Sequence, residues 1–271
     1  MRRAYSPTEV QKMSIPSFPF EGEWKAAFGQ PAQTGTWIIW GQSGNGKSAF
    51  VMKLAKYLCR WCRVAYDSLE ESTGLSLQNS LNRERMEEVN RRFIILDREQ
   101  MDELSERLLK RRSPEVVIID SFQYSGLTYA SYKSLKERHP NKLLIFISHA
   151  EGENPEGRAA KKVAYDADMK IRVEGFRAVC KGRFITEPGN HFTIWAEGAT
   201  QYWNGKKRKI TVNHNVMDEI IEAILNDAME KSEGFSFTDQ SFIFSELSER
   251  FSGLSHDALM AEYGLKEEDF E

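Results

Sequence analysis

Eight consecutive residues, Gly41-Gln42-Ser43-Gly44-Asn45-Gly46-Lys47-Ser48, have the spacing of a loop that grips phosphate. Its glycines let main-chain N–H groups converge on an anion, and the helix expected to open at Lys47 adds the positive end of its dipole. Lys47 is placed to reach the β- and γ-phosphates of a nucleoside triphosphate. Ser48 is placed to ligate Mg²⁺, and Ala49, next on the first helical turn, is expected to complete the nucleotide-binding set. The motif requires a strand before it and a helix after it. Thr36–Trp40 is a short apolar run, and from Lys47 to Cys59 the side chains Phe50, Leu54, Tyr57 and Leu58 fall on one helical side.

Hydrolysis of a triphosphate also needs carboxylates. Asp120 ends the apolar run Val116–Ile119. This is a Walker B position, expected beside the strand of the phosphate loop and expected to hold Mg²⁺ directly or through water. Glu70 and Glu71 follow the run Arg63–Tyr66, where a carboxylate can orient and activate the attacking water.

These residues need a scaffold, and the chain alternates strand and helix signals. Strands are expected at 36–40, 63–66, 93–96, 116–119 and 143–147, with helices near 47–59, 75–89, 101–110 and 130–138. The strands are continuous apolar runs, as in a parallel sheet covered on both faces. From about Met169 the pattern changes to hairpin-connected strands punctuated by Gly175, Gly182 and Gly189. The fold class is therefore α/β: a mostly parallel twisted sheet flanked by helices, with antiparallel strands at the C-terminal edge and a small helical tail. Residues 1–35 carry the breakers Pro16, Pro19 and Pro31 and the aromatics Phe18, Phe20, Trp24 and Phe28. They read as a docking or oligomerisation segment, seated on its own domain or on a neighbouring subunit. Residues 36–213 form the core. Beyond it, residues 214–271 form an acidic helical tail.

The three cysteines are an odd and small number, so no disulfide framework is implied. Cys59-x-x-Cys62 lacks further ligands at zinc spacing and reads as helix packing. No apolar run approaches the ~18 residues needed to cross a bilayer. The start Met1-Arg2-Arg3 has no apolar segment behind it, so a cytoplasmic protein is expected. Charge is unevenly spread: Asp218–Glu271 holds 15 acidic and 3 basic residues, against 25 acidic and 34 basic before it. A basic body permits a polyanionic partner, and an acidic end would avoid one.

Three motifs together resemble the RecA-fold ATPases, most closely the RadA/Sms and DnaB-helicase branch. They are the phosphate loop, Tyr66-Asp67-Ser68-Leu69-Glu70-Glu71-Ser72, and Val116-Val117-Ile118-Ile119-Asp120-Ser121-Phe122-Gln123. The resemblance implies ATP and Mg²⁺ as cofactors and Glu70 as the catalytic glutamate. Ser148-His149 is similar to the segment after the fifth strand of RadA, which implies that His149 senses the γ-phosphate. Cys180-Lys181-Gly182-Arg183-Phe184 resembles the Lys-Asn-Arg-Phe-Gly motif of RadA and the Lys-x-Arg pair of DnaB-type helicases. By that resemblance Lys181 and Arg183 act in trans on a neighbour's nucleotide, within a homo-oligomeric ring, expected to be a hexamer, or a filament. The resemblance covers roughly 36–200. The sequence departs from RadA in lacking the four-cysteine module and the protease-like domain, from DnaB in lacking the helical collar, and from the RadA motif in having Ile185 where a glycine follows the Phe.

In that branch the loops after the fourth and fifth strands face nucleic acid. Here they are roughly 123–129 and 150–165. Arg158, Lys161 and Lys162 are expected to touch phosphates from a mobile loop, and Tyr124 to stack on bases. The reading is an ATP-hydrolysing oligomeric motor on single-stranded DNA in replication, recombination or repair, of a kind that fits a phage or mobile element. The alternative is a nucleotide-dependent switch or assembly factor that binds protein partners, with the acidic tail as a partner surface.

Overall fold

The computed structural model describes residues 3–185 and 190–205. The chain divides into two compact units, Met1–Ala199 and Thr200–Glu271. In the second unit, residues 200–205 are helical. The basic run Lys206–Lys209, the expected strand 210–212, the acidic tail and the expected boundary at 213 lie outside the described residues.

The first unit is built on an eight-stranded sheet. Its parallel strands are β1 (Gly35–Trp40), β2 (Val64–Ser68), β3 (Phe93–Asp97), β4 (Val116–Asp120), β5 (Leu143–Ser148) and β8 (Met169–Glu174). Strands β9 (Arg177–Gly182) and β10 (His191–Thr193) add antiparallel at one edge. The order across the sheet is β10-β9-β8-β1-β5-β4-β2-β3. A separate small hairpin joins β6 (Ala150–Glu151) to β7 (Asn154–Pro155). The sheet is therefore the mostly parallel α/β arrangement expected from the sequence, antiparallel edge included.

Two layers of core explain the apolar runs. Odd positions of β1, such as Trp37 and Ile39, face helices α3 (Lys47–Leu58) and α4 (Leu75–Arg83). Even positions, Ile38 and Trp40, face α5 (Met101–Leu109), α6 (Tyr129–Arg138) and α7 (Arg158–Asp166). A strand buried on both faces has no polar position to spare, so its hydrophobicity runs unbroken. The edge-side strand β8 instead alternates buried and half-buried residues.

Within the N-terminal segment, α1 (Pro7–Gln11) buries nothing, while α2 (Gly22–Phe28) and the residues before it pack onto α3. Phe18, Phe20 and Phe28 are fully buried, and Trp24 stacks on Tyr57 at 4.7 Å with an interplanar angle of 10°. The aromatics thus belong to the core of their own unit.

The expected helix 75–89 is broken. α4 ends at Arg83, Arg85 takes a positive φ of 52°, and a 3-10 turn covers Met86–Val89. Glu84 takes part in the break: its carboxylate pairs with Lys53 of α3 at 3.0 Å, and its carbonyl accepts from Lys56.

Candidate nucleotide site

The phosphate loop leaves β1 at Trp40 and closes on α3 at Lys47. Gly41 is required here by space. A Cβ on it would lie 2.3 Å from the carbonyl oxygen of Val173, so the loop can pass this close to β8 only without a side chain. Lys47 Nζ donates to the Gly41 carbonyl at 3.2 Å, folded back across the loop it serves.

The loop floors an open cleft of about 890 Å³, lined by Gly41 to Gly44, Gly46 to Ala49, Glu70, Glu71, Asp120 and His149 among others. The residues expected to bind phosphate and metal and to activate water are thus gathered in one place. Asn45 is the exception within the loop. It does not line the cleft; its Oδ1 accepts from Gly175 N at 2.7 Å and its carbonyl from Phe176 N at 3.2 Å. Its side chain and carbonyl tie the loop to the β8–β9 turn.

Asp120 does end β4, but β4 is not the neighbour of β1 as expected. Strand β5 is inserted between them, paired in parallel with both. The insertion sets the end of β5, Ser148-His149, midway between the phosphate loop and Asp120. The Asp120 carboxylate accepts a hydrogen bond from the hydroxyl of Tyr66 on β2. Burial pushes its pKa up to about 6; Tyr66 and Lys47 pull the other way, while Glu70 and Glu71 add to the rise.

Glu70 is positioned from the backbone. The Asp120 carbonyl accepts from Leu69 N at 2.7 Å and from Glu70 N at 3.2 Å, clamping the end of β2 to the end of β4. The Glu70 carboxylate then meets His149 Nε2 at 2.9 Å, and Glu156 lies 3.6 Å from His149 Nδ1.

Gln123, expected at the start of a loop facing nucleic acid, instead organises this side of the cleft. Its amide nitrogen donates to Ser148 Oγ at 2.8 Å and to the Glu156 carbonyl at 3.1 Å, and its oxygen accepts from His149 N at 3.3 Å. Arg83, Lys53 and Glu84 also line the cleft. No sequence pattern marks them: Lys53 stands on α3, Arg83 ends α4 and Glu84 follows in the break.

Lys181 and Arg183 are absent from the cleft. Gly182 is level with Met169 and hence with Trp37, near the start of β1, whereas the phosphate loop follows its end. At roughly 3.3 Å per residue, Arg183 lies about 15 Å down the strand direction from its own loop. Strand β9 stops at Gly182, so Arg183 stands in the turn beyond it. Its guanidinium pairs with Asp168 Oδ1 at 3.1 Å, and Asp168 Oδ2 accepts from Thr36 N.

The expected mobile loop 150–165 is structured. The β6–β7 hairpin is held by Trp40 Nε1, which donates to the Glu153 carbonyl at 2.9 Å. Arg158, Lys161 and Lys162 then fall on α7, because the run Arg158-Ala-Ala-Lys-Lys-Val-Ala-Tyr buries Ala160 and Val163 at helical spacing. Lys161 pairs with Glu151 at 2.8 Å, and Lys162 lies over the Tyr129 ring. Tyr124 sits on a 3-10 turn with more than half its surface exposed.

Burial pushes the Cys59 thiol up to about 11 and the Cys62 thiol up to about 12, and no metal-holding cluster occurs among the described residues. Cys59 is buried in the core and Cys62 packs against it. No helix among the described residues is long and apolar enough to cross a membrane.

No family model matches the chain, and no curated protein matches it. Among solved structures, the chain is similar to the crystal structure of the flagellar accessory protein FlaH from Methanocaldococcus jannaschii, at 17% identity and a TM-score of 0.45, over 66% of this chain and 93% of that one. A likeness of that degree carries no information about activity, ligand or partner.

Proposed function

We propose that this chain is a Mg²⁺-dependent ATPase that works as a homo-oligomer on single-stranded DNA. The observation that carries the ATPase reading is the single cleft in which the phosphate loop, Asp120 and the Glu70–His149 pair converge.

The residues present suit both cofactors. A triphosphate meets the amides of Gly44 to Ser48, the start of α3 and the Lys47 ammonium, which exchanges the Gly41 carbonyl for phosphate oxygens. Mg²⁺ prefers few protein ligands and keeps phosphate and water oxygens for the rest. Ser48 and Asp120 would hold it. When bound, the ion neutralises charge on the β- and γ-phosphates.

Glu70 orients water toward the γ-phosphate and accepts its proton. His149 holds the Glu70 carboxylate in place, and Gln123 holds His149. With Lys181 and Arg183 remote from their own loop, their positive charge serves the site of an adjacent subunit.

Action on DNA is tested by measuring ATP turnover with and without single-stranded DNA over a salt series. Strong, salt-sensitive stimulation supports the motor. Indifference to DNA at all salt concentrations supports the alternative, a nucleotide-driven switch for protein partners. One observation favours that alternative: two of the three cations expected on DNA, Lys161 and Lys162, are already occupied by Glu151 and Tyr129.

A further inference from the structure

One wall of the cleft is apolar and has no part in phosphate or metal chemistry. It consists of Phe176, Ile194 and Trp195. Trp195 is 49% exposed, and of the exposed large apolar side chains among the described residues it alone lines the cleft.

This wall is built with some care. Phe176 occupies the β8–β9 turn at φ 58°, a conformation that bulky side chains rarely adopt and that persists only where surroundings enforce it. The enforcement comes from the phosphate loop itself, through the two hydrogen bonds from Gly175 and Phe176 amides to Asn45. Ile194 N donates in turn to the Phe176 carbonyl at 2.9 Å. The Phe176 and Trp195 rings meet at 5.0 Å and 81°, forming a right-angled aromatic corner. The indole rests over Gly198, where a Cβ would come within 2.1 Å of its ring carbons, so any larger residue would dislodge it.

We infer that the Phe176–Trp195 corner is the nucleobase subsite, and that it takes purine rings by stacking with little distinction between adenine and guanine. This inference rests on the proposed nucleotide-binding reading of the cleft and deepens it. A planar base gains from aromatic stacking whatever its edge groups, because every base presents a π-face. Discrimination between the two purines needs fixed donors and acceptors along the base edge. Among the described residues, the side chains of this wall offer only the indole N–H. The bond from Asn45 also gives the subsite a fixed distance from the phosphate loop, as a ligand spanning both requires.

The test measures binding of Mg-ATP, Mg-GTP and Mg-tripolyphosphate by calorimetry to the full chain, to Trp195→Ala, to Trp195→Phe and to Phe176→Gly. Glycine at 176 removes the ring while accepting the positive φ. The expected results are similar affinities for ATP and GTP, each about tenfold weaker in Trp195→Ala and Phe176→Gly, with Trp195→Phe close to wild type. Tripolyphosphate affinity should not move in any variant, which also reports that the loop is intact. ATP affinity unchanged in both ring deletions overturns the subsite. So does an equal loss for tripolyphosphate, or a wild-type preference between ATP and GTP beyond tenfold. If wild type binds tripolyphosphate as tightly as ATP, the subsite is wrong and the phosphate reading stands. If it binds neither, both are wrong.

Discussion

His149 Nε2 lies 2.9 Å from Glu70 Oε2, although the two residues stand 79 positions apart in the chain. The contact joins the turn after β2 to the end of β5 across β4, directly over the cleft. Glu70→Gln is expected to bind ATP with near-normal affinity and to lose turnover by about 10²- to 10⁴-fold, the usual weight of a general base. His149→Ala should lower turnover less, with binding intact, because it removes only the group that orients the base. Single-turnover and binding measurements separate the two terms. If Glu71→Gln, rather than Glu70→Gln, abolishes turnover, the base is the adjacent carboxylate.

Lys47, the first residue of α3, donates to the Gly41 carbonyl and lines the cleft. Lys47→Ala should abolish detectable ATP binding or turnover in calorimetry and phosphate-release assays. Turnover at the wild-type rate would remove the loop's role.

The Tyr66 hydroxyl donates to the Asp120 carboxylate and thereby fixes which oxygen faces the cleft. Tyr66→Phe should raise the Mg²⁺ concentration that gives half-maximal turnover by several-fold, because an unanchored carboxylate meets the ion less often. Metal-free nucleotide binding should not change. A Mg²⁺ titration coincident with that of wild type would show that Tyr66 contributes packing alone.

Arg183 is anchored by Asp168 at 3.1 Å, and its side chain is largely exposed. An ion pair of that kind contributes at most about 1 kcal/mol to stability, so Arg183→Ala should unfold at nearly the wild-type urea concentration while turnover collapses. Mixing Arg183→Ala with Lys47→Ala protein should restore activity through hybrid sites that hold one intact half from each. Absence of rescue at any mixing ratio would count against action in trans.

Asp67 is buried on β2 with Oδ1 accepting from Glu99 N and Oδ2 without a hydrogen-bond partner among the described residues. Burial pushes its pKa up to about 7; the Glu99 amide and Arg107 oppose the rise, and Glu99 and Asp97 reinforce it. In the unfolded chain an aspartate titrates near ~3.9. Between those values the folded state holds the extra proton, so the stabilisation is complete at the lower pH and is lost as pH rises through about 7. Urea unfolding at pH 5 and pH 8 should show a smaller pH difference for Asp67→Asn than for wild type. Equal slopes would mean that Asp67 titrates normally.

The phosphate loop, Asp120 and the strand–helix alternation were legible in the sequence because each is a local matter. A loop motif, a carboxylate at the end of an apolar run and periodic burial all depend on near neighbours along the chain. What lay beyond local reading was the pairing order of the strands. Inserting β5 between β1 and β4 is a tertiary choice, and it alone brought His149 to Glu70 and gave Gln123 its work. The cations of 158–162 were misread as a loop because glycine and proline before them masked a helix stabilised by Ala160 and Val163 against the sheet. The motif places Asn45 in the loop, but only the β8–β9 turn, 130 residues away, decides what its side chain meets. Residue type and spacing thus settled which groups could do chemistry. Only packing between distant segments decided which of them meet.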